Sequence, residues 1–259
     1  MPPTIHQHFS KIANRYRYIR TTDSEPITFI AKELRKLAHV EAADIGCGDG
    51  RYCMLLFKYL GDKLRLVCID NNNAMLEELD TYFRQHNVSN FKTMKSEAES
   101  LPFPDGILDC VCTFNAIHHF DVLNFLHESA RILKVGGYIF IYTRLREQNR
   151  ENIWGQYFPE FCQKEDRLYK LNTLMETIAA VSALRVKSIE YFKYRRVFSL
   201  EKLIERARDH HYSTFTLYSP NDLEEAIIEF AGNIEYHFEN IQRVNWFDQY
   251  TLFVIRKEV

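Results

Sequence analysis

Up to about residue 143, short apolar runs alternate with stretches whose apolar residues recur every three or four positions. The runs have the pattern of strands buried on both faces and the recurrences that of amphipathic helices. Their alternation predicts a parallel sheet covered on both sides. Ile27, Ile30, Leu34 and Leu37 share one stripe of a helix that Asp23 or Ser24 can cap and whose early turn takes Pro26. A strand over about 40–45 runs into a glycine cluster, and a helix with Tyr52, Leu55, Leu56, Tyr59 and Leu60 on one side follows. The run LRLVCID at 64–70 is a compact strand ending on a carboxylate; the next helix carries Met75, Leu76, Leu79 and Phe83. FKTMKSE reads as a weaker strand, and the turn PDG at 104–106 precedes the β-rich ILDCVCTF. Asp121 can cap a helix carrying Leu126, Ala130 and Leu133, which Gly136-Gly137 is expected to end before a fifth strand, GYIFIYT. Five such units predict a doubly wound sheet with right-handed crossovers.

The second half is mostly helical and aromatic. Leu168, Leu171, Leu174, Ile178 and Val181 form one stripe, and Leu223, Ile227, Phe230, Ile234 and Phe238 another. The segments 185–192 and 249–257 read as strands that add an antiparallel pair at the sheet edge. The expected fold class is α/β: a Rossmann-like, doubly wound, seven-stranded sheet, mostly parallel with an antiparallel last strand, plus a helical cap insertion. Residues 1–143 are expected to form the core with an N-terminal helix, 144–240 the cap, and 241–259 the final strand.

Composition narrows the class. With 46% hydrophobic and 26% charged residues, the chain is neither disordered nor unusual for a folded domain. A net charge of −2 argues against a dedicated nucleic-acid-binding domain. No run approaches the about 20 apolar residues of a membrane span, and the N-terminus is broken by His, Lys and Arg where a signal peptide needs an apolar stretch. The six cysteines include no C-x-x-C pair, which argues against zinc and for buried free thiols, and the expected location is the cytoplasm.

The sharpest local signal is Asp44-Ile-Gly46-Cys-Gly48-Asp-Gly50, set between a strand and a helix. Glycines there allow a tight turn and close approach of a ligand to helix N–H groups. A dinucleotide fold would use a similar turn, and Asp70 stands where its ribose-binding carboxylate would. Yet the spacing is G-x-G-x-G, and Asp44 and Asp49 would repel a pyrophosphate while favouring a ligand that carries a cation. A turn whose glycines serve sterics alone is the plain alternative.

DIGCGDG, followed by VCIDNN, SEAESLPFPDGILDCV, AIHHF and ESARILKVGGYIFIY, resembles the class I S-adenosylmethionine-dependent methyltransferases of the type 11 kind, in order and spacing, over about 40–143. The resemblance implies roles. Asp44, Gly46 and Gly48, with Cys47 in the same turn, would line the methionine part of the cofactor, and Asp70 would accept both ribose hydroxyls. Asn71 would flank the adenine, Glu97 would accept from its amino group where relatives more often carry Asp, and the Ala98 N–H would serve a ring nitrogen. Asn115 would bring backbone near the sulfonium. The segment SKIANRYRYIR is similar to the helix that closes over the cofactor in such enzymes. Tyr16 would cover the cofactor and Arg20 pair with its carboxylate; a basic solvated helix is the other reading.

Methyl transfer from a sulfonium needs an aligned, desolvated and, for a hydroxyl or thiol, deprotonated acceptor. His118 and His119 stand at the carboxyl end of the fourth strand, where either can act as base or simply shape the pocket. Trp154 and Phe158, with Tyr157 and Phe161 at helical spacing, and Tyr212 are candidate walls for a partly apolar small-molecule acceptor, and Arg144 can meet an anionic group on it. Such a stripe is also what a core looks like. RNA is the alternative acceptor: IHHF and GGYIFIYTRLREQ resemble tRNA wobble-uridine methyltransferases, and 185–208 holds eight Lys and Arg against three Glu. A cofactor-binding partner subunit without its own turnover is the alternative from another class. No metal site is expected.

Overall fold

A computed structural model describes residues 5–259, with side chains from Gln7 onward. Strands β1 (Val40–Ile45), β2 (Leu64–Asp70), β3 (Phe91–Lys95), β4 (Leu108–Phe114), β5 (Leu133–Thr143), β6 (Leu184–Phe198) and β7 (Val244–Lys257) form one sheet in the order β3-β2-β1-β4-β5-β7-β6. The first five pair in parallel. β7 runs antiparallel to β5, from Tyr138 opposite Arg256 to Thr143 opposite Thr251. This is the expected seven-stranded, doubly wound fold. The strand order turns at the β1/β4 junction, so the carboxyl ends of these two strands open a crevice of the kind in which such sheets bind ligands.

Two compact units share the chain. The sheet unit comprises Thr22–Thr143, Leu171–Phe192 and Thr251–Val259; the helical unit comprises the residues up to Thr21, Arg144–Lys170 and Lys193–Tyr250. The expected linear division therefore differs at both ends. The N-terminal segment through Thr21 groups with the helical unit, and the helix Leu171–Ala179 groups with the sheet.

In the sheet unit, Ile27, Ile30 and Leu34 are buried along the helix Glu25–Leu34, with Pro26 in its first turn. Asn72 caps the helix Asn73–Gln85 by accepting from the Met75 N–H, and Asp121 caps Val122–Ile132 by accepting from the Asn124 N–H. Gly136-Gly137 does not end that helix. The helix stops at Ile132, and both glycines lie inside β5. Gly136 has φ +85° and β5 changes register against β4 between Leu108 and Cys110, so the glycines serve an irregular strand entry. The two late strands are also longer than the predicted 185–192 and 249–257. β6 alternates between more and less exposed residues over much of its length, and the first residues of β7 do the same, so their polar positions hid them from a search for apolar runs.

In the helical unit, Leu223, Ile227, Phe230 and Ile234 line the buried face of the helix Pro220–His237, capped by Ser219. They join Trp154, Phe158, Phe161 and Phe215 in a single aromatic core.

Candidate active site

The glycine turn leaves β1 at Ile45 and feeds the helix Arg51–Leu60. Gly46, Gly48 and Gly50 all have positive φ (70°, 55° and 80°), which a side chain would strain. Two of the three are also fixed by packing. A Cβ on Gly46 would lie 2.6 Å from the Ala116 Cβ, and one on Gly50 would lie 2.6 Å from the Leu79 Cγ. The sterics reading of the turn thus holds for these two.

Asp70, at the end of β2, ties the neighbouring loops together. One carboxylate oxygen accepts the Gly48 N–H and the other the Asn72 N–H, each at 2.9 Å. A carboxylate oxygen can accept more than one hydrogen bond, so both keep capacity for a ligand hydroxyl. The exposed Asn71 donates to Glu97 Oε2 at 3.0 Å, and Ala98 beside it is buried. The expected ribose and adenine residues are thereby brought together at the ends of β2 and β3.

Asp44 and Asp49 are both buried. Burial pushes the Asp44 carboxyl well above its usual range, and the nearby Cys53 and Asp70 push it further. The Cys53 thiol lies 2.9 Å from Asp44 Oδ2. Carboxyls held so reluctantly charged gain from a nearby cation and would lose from a pyrophosphate. Burial raises the Cys47 and Cys53 thiols as well, so both stay protonated, as expected of buried free cysteines.

Asn115 follows β4 with φ +56°, uncommon for a residue other than glycine, and its N–H bonds the Tyr142 carbonyl at 2.7 Å. The turn then forms a short 3-10 helix, Ile117–His119. His118 is half-buried, His119 is exposed, and their rings lie 4.1 Å apart between centroids. Pattern reading missed the residues that hold the loop after β3. Arg131 donates to the Leu101 and Phe103 carbonyls, and Glu128 accepts the Leu101 N–H. Nothing local in the sequence links residues so far apart.

Residues 43–141, which contain all of this geometry, match the family described as a methyltransferase domain. This segment is a methyltransferase domain. The chain is similar to the uncharacterised methyltransferase YcgJ of Bacillus subtilis, 31% identical over 131 residues that cover 50% of this chain and 51% of that protein. The YcgJ crystal structure superposes with a TM-score of 0.66 at 19% identity, covering 92% of this chain and all of that one, which shows a shared fold. A fatty-acid O-methyltransferase of Mycolicibacterium smegmatis is 33% identical over 106 residues, covering 40% of this chain and 36% of that protein. The mouse tRNA (carboxymethyluridine(34)-5-O)-methyltransferase ALKBH8 is 29% identical over 157 residues, covering 59% and 22%. The sequence matches thus span about half or less of these relatives, and the methyltransferase domain accounts for most of each match.

The remaining predicted residues belong to the helical unit, outside the methyltransferase domain. Trp154 and Phe158 are 2% and 3% exposed. Trp154 stacks on Phe230 at 5.1 Å, and Phe215 meets it edge-on at 5.2 Å. The stripe is also broken, since the helix Ile153–Tyr157 ends before Pro159 and Glu160 turns to φ +56°. These two residues are core, a correction to the expectation that they wall a pocket. Arg144 is buried and paired with Asp248 at 3.0 Å, and it donates to the Tyr212 hydroxyl. Arg20 donates to the His211 carbonyl and lies over the Tyr212 ring, 4.6 Å from its centroid; Tyr16 lies on its other side at 5.6 Å. Among the described residues no group of His, Cys, Asp and Glu fit to hold a metal occurs, and no helix is long and apolar enough to cross a membrane.

Proposed function

We propose that this chain is an S-adenosylmethionine-dependent methyltransferase acting on a small-molecule acceptor. The observation that carries the reading is the carboxylate-bearing glycine turn, Asp44 and Asp49 buried around Gly46–Gly50 with Asp70 holding the Gly48 N–H. A donor set of this kind fits a nucleoside with a diol and a cationic tail. Asp70 would accept the ribose hydroxyls, Asn71 and Glu97 would flank the adenine with the Ala98 N–H, and Asp44, Gly46, Cys47 and Gly48 would border the methionine portion. When bound, S-adenosylmethionine supplies an electrophilic methyl group on a good leaving group. The chain contributes alignment, exclusion of water and, for a hydroxyl acceptor, a base. His118 and His119 are the candidates, and the half-buried His118 is the better placed to work away from bulk water.

The tRNA reading rests on the basic stretch 185–208, and ion pairing weakens it. Arg185 pairs with Glu258, Lys187 with Glu33, Arg196 with Asp248, Lys202 with Glu205 and Arg208 with Glu224. Most of its charge is already met within the protein, so little remains for phosphates.

Calorimetry tests the cofactor. S-adenosylmethionine and S-adenosylhomocysteine are expected to bind, NAD not, and Asp70→Ala is expected to cost about 1.5–3 kcal/mol of binding, the range for hydrogen bonds to a charged group. Unchanged affinity in Asp70→Ala, or preferential binding of NAD, removes the reading.

A further inference from the structure

The helical unit holds a cluster of arginines whose charge the protein does not balance. Arg144 Nη2 reaches Asp248 Oδ1 and the Tyr212 hydroxyl at 3.0 Å and the Tyr250 hydroxyl at 2.8 Å. Arg196 Nε binds the other oxygen of Asp248 at 3.1 Å. Asp248 therefore serves two arginines already. The Tyr212 ring is shared by two more contacts, with the Arg20 guanidinium 4.6 Å and that of Arg144 5.0 Å from its centroid. Arg206 lies within the electrostatic reach of Arg20, Asp248 and the Tyr212 and Tyr250 hydroxyls, with its guanidinium 5.1 Å from the Phe198 ring. Among the described residues, neither Arg20 nor Arg206 has a carboxylate within ion-pair distance.

Four guanidinium groups around one carboxylate leave an excess of three positive charges in a partly desolvated setting. Uncompensated buried charge is costly, and folds that keep it usually hold a partner for it. The excess has local consequences. Burial and the charges of Arg206, Arg20 and Arg144 hold His211 neutral, and burial also lowers the Arg206 guanidinium itself. Nearby acids are committed elsewhere: Glu165 to Arg167 and Asp209 to Arg15.

We propose that Arg20, Arg144 and Arg206, with the Tyr212 and Tyr250 hydroxyls, form a binding site for a small molecule bearing a polyvalent oxyanion. Planar guanidinium forks and phenolic donors match phosphoryl and carboxylate oxygens, and an excess of three charges suits a dianion better than a single carboxylate. Resting on the methyl-transfer reading, we assign this group as the anchor of the acceptor, so the acceptor class is a phosphorylated or dicarboxylate metabolite. The site supplies only binding; no bond changes there.

The anchor is testable without cofactor or turnover. Trp246 donates to Asp248 at 3.2 Å, so indole fluorescence reports on the cluster. Wild-type protein is titrated with pyrophosphate and with malonate, each at ionic strength held constant with sodium chloride. Saturable fluorescence change with either anion supports the site, and the tighter of the two identifies the phosphoryl or the dicarboxylate source. Arg206→Gln and Arg20→Gln are expected to weaken that binding by more than about tenfold, with Arg206→Lys recovering part of it. Arg208→Gln, whose partner Glu224 lies on the exposed surface, leaves it unchanged. A response no larger than that to chloride, or saturable binding retained at full strength in Arg206→Gln, overturns the proposal. The wild-type titration decides by itself if a variant fails to fold. A positive anion result beside failed S-adenosylmethionine binding would refute the methyl-transfer reading alone.

Discussion

At the scale of single residues, the glycines of the turn separate into different roles. Gly46 faces Ala116 and Phe120, at 2.6 Å and 3.0 Å from the position its Cβ would take, in a backbone conformation at φ +70°. Gly46→Val is expected to cost about 2–4 kcal/mol of stability, from overpacking and left-handed strain together. Gly48 also has positive φ, and its N–H is held by Asp70. Gly48→Ala is expected to lose only about 1–2 kcal/mol of stability. Its larger effect is expected on cofactor affinity, because its backbone borders the proposed methionine portion. Urea unfolding beside calorimetry separates the two; equal loss of stability in both variants would contradict the division.

At the scale of elements, what was legible followed sequence distance. The glycine turn, Asp70, Asn71 and Glu97 lie on consecutive β–α units, so spacing along the chain announced their convergence. The helix stripes Ile27–Leu34 and Leu223–Ile234 were legible because burial on one face imposes its period on the residues. Gly136-Gly137 misled because glycine after a helical stripe ordinarily ends the helix, and here it enters a strand. The arginine cluster was illegible for the opposite reason to the turn, since Arg144 and Asp248 meet across 104 residues. The Trp154 stripe shows the limit of pattern itself, which registers that residues share a face and not what covers it. That face depends on Gly155, where an added Cβ would lie 1.9 Å from the Asn149 carbonyl oxygen and 2.9 Å from the Arg150 Cα. Both contacts are backbone and cannot swing aside. Gly155→Ala is expected to separate the helices Arg146–Glu151 and Ile153–Tyr157, with a loss of more than about 3 kcal/mol and a red shift of tryptophan emission as Trp154 meets water. Unshifted emission with wild-type stability would show that the contact relaxes freely.

For the whole molecule, the arginine-rich setting makes stability depend on pH. Burial, then the charges of His210, Arg20, Arg15 and Arg167, hold His8 at a pKa of about 4, against 6.5 in the unfolded chain. Burial and three arginines hold His211 well below its ordinary value too. Between pH 6.5 and about 4 the unfolded chain therefore binds protons that the folded chain refuses, and stability falls as the pH is lowered through that window. The loss attributable to His8 is about 3 kcal/mol once the pH reaches its folded value, and below that it adds nothing more. Asp44 acts with the opposite sign. Its raised pKa lets the folded chain hold a proton that the unfolded one releases above its model value of 3.8, so its contribution falls as the pH rises through the folded value. The two effects are separable because they belong to different units. Thermal unfolding at pH 7.5, 6 and 5 is expected to show a falling midpoint, and His8→Phe, which has no proton to refuse, is expected to flatten the profile without abolishing it, because His211 remains. A profile of the same steepness in His8→Phe would mean that His8 accepts its proton in the folded state. The arginines would then not bring the unbalanced field from which the anion site was inferred.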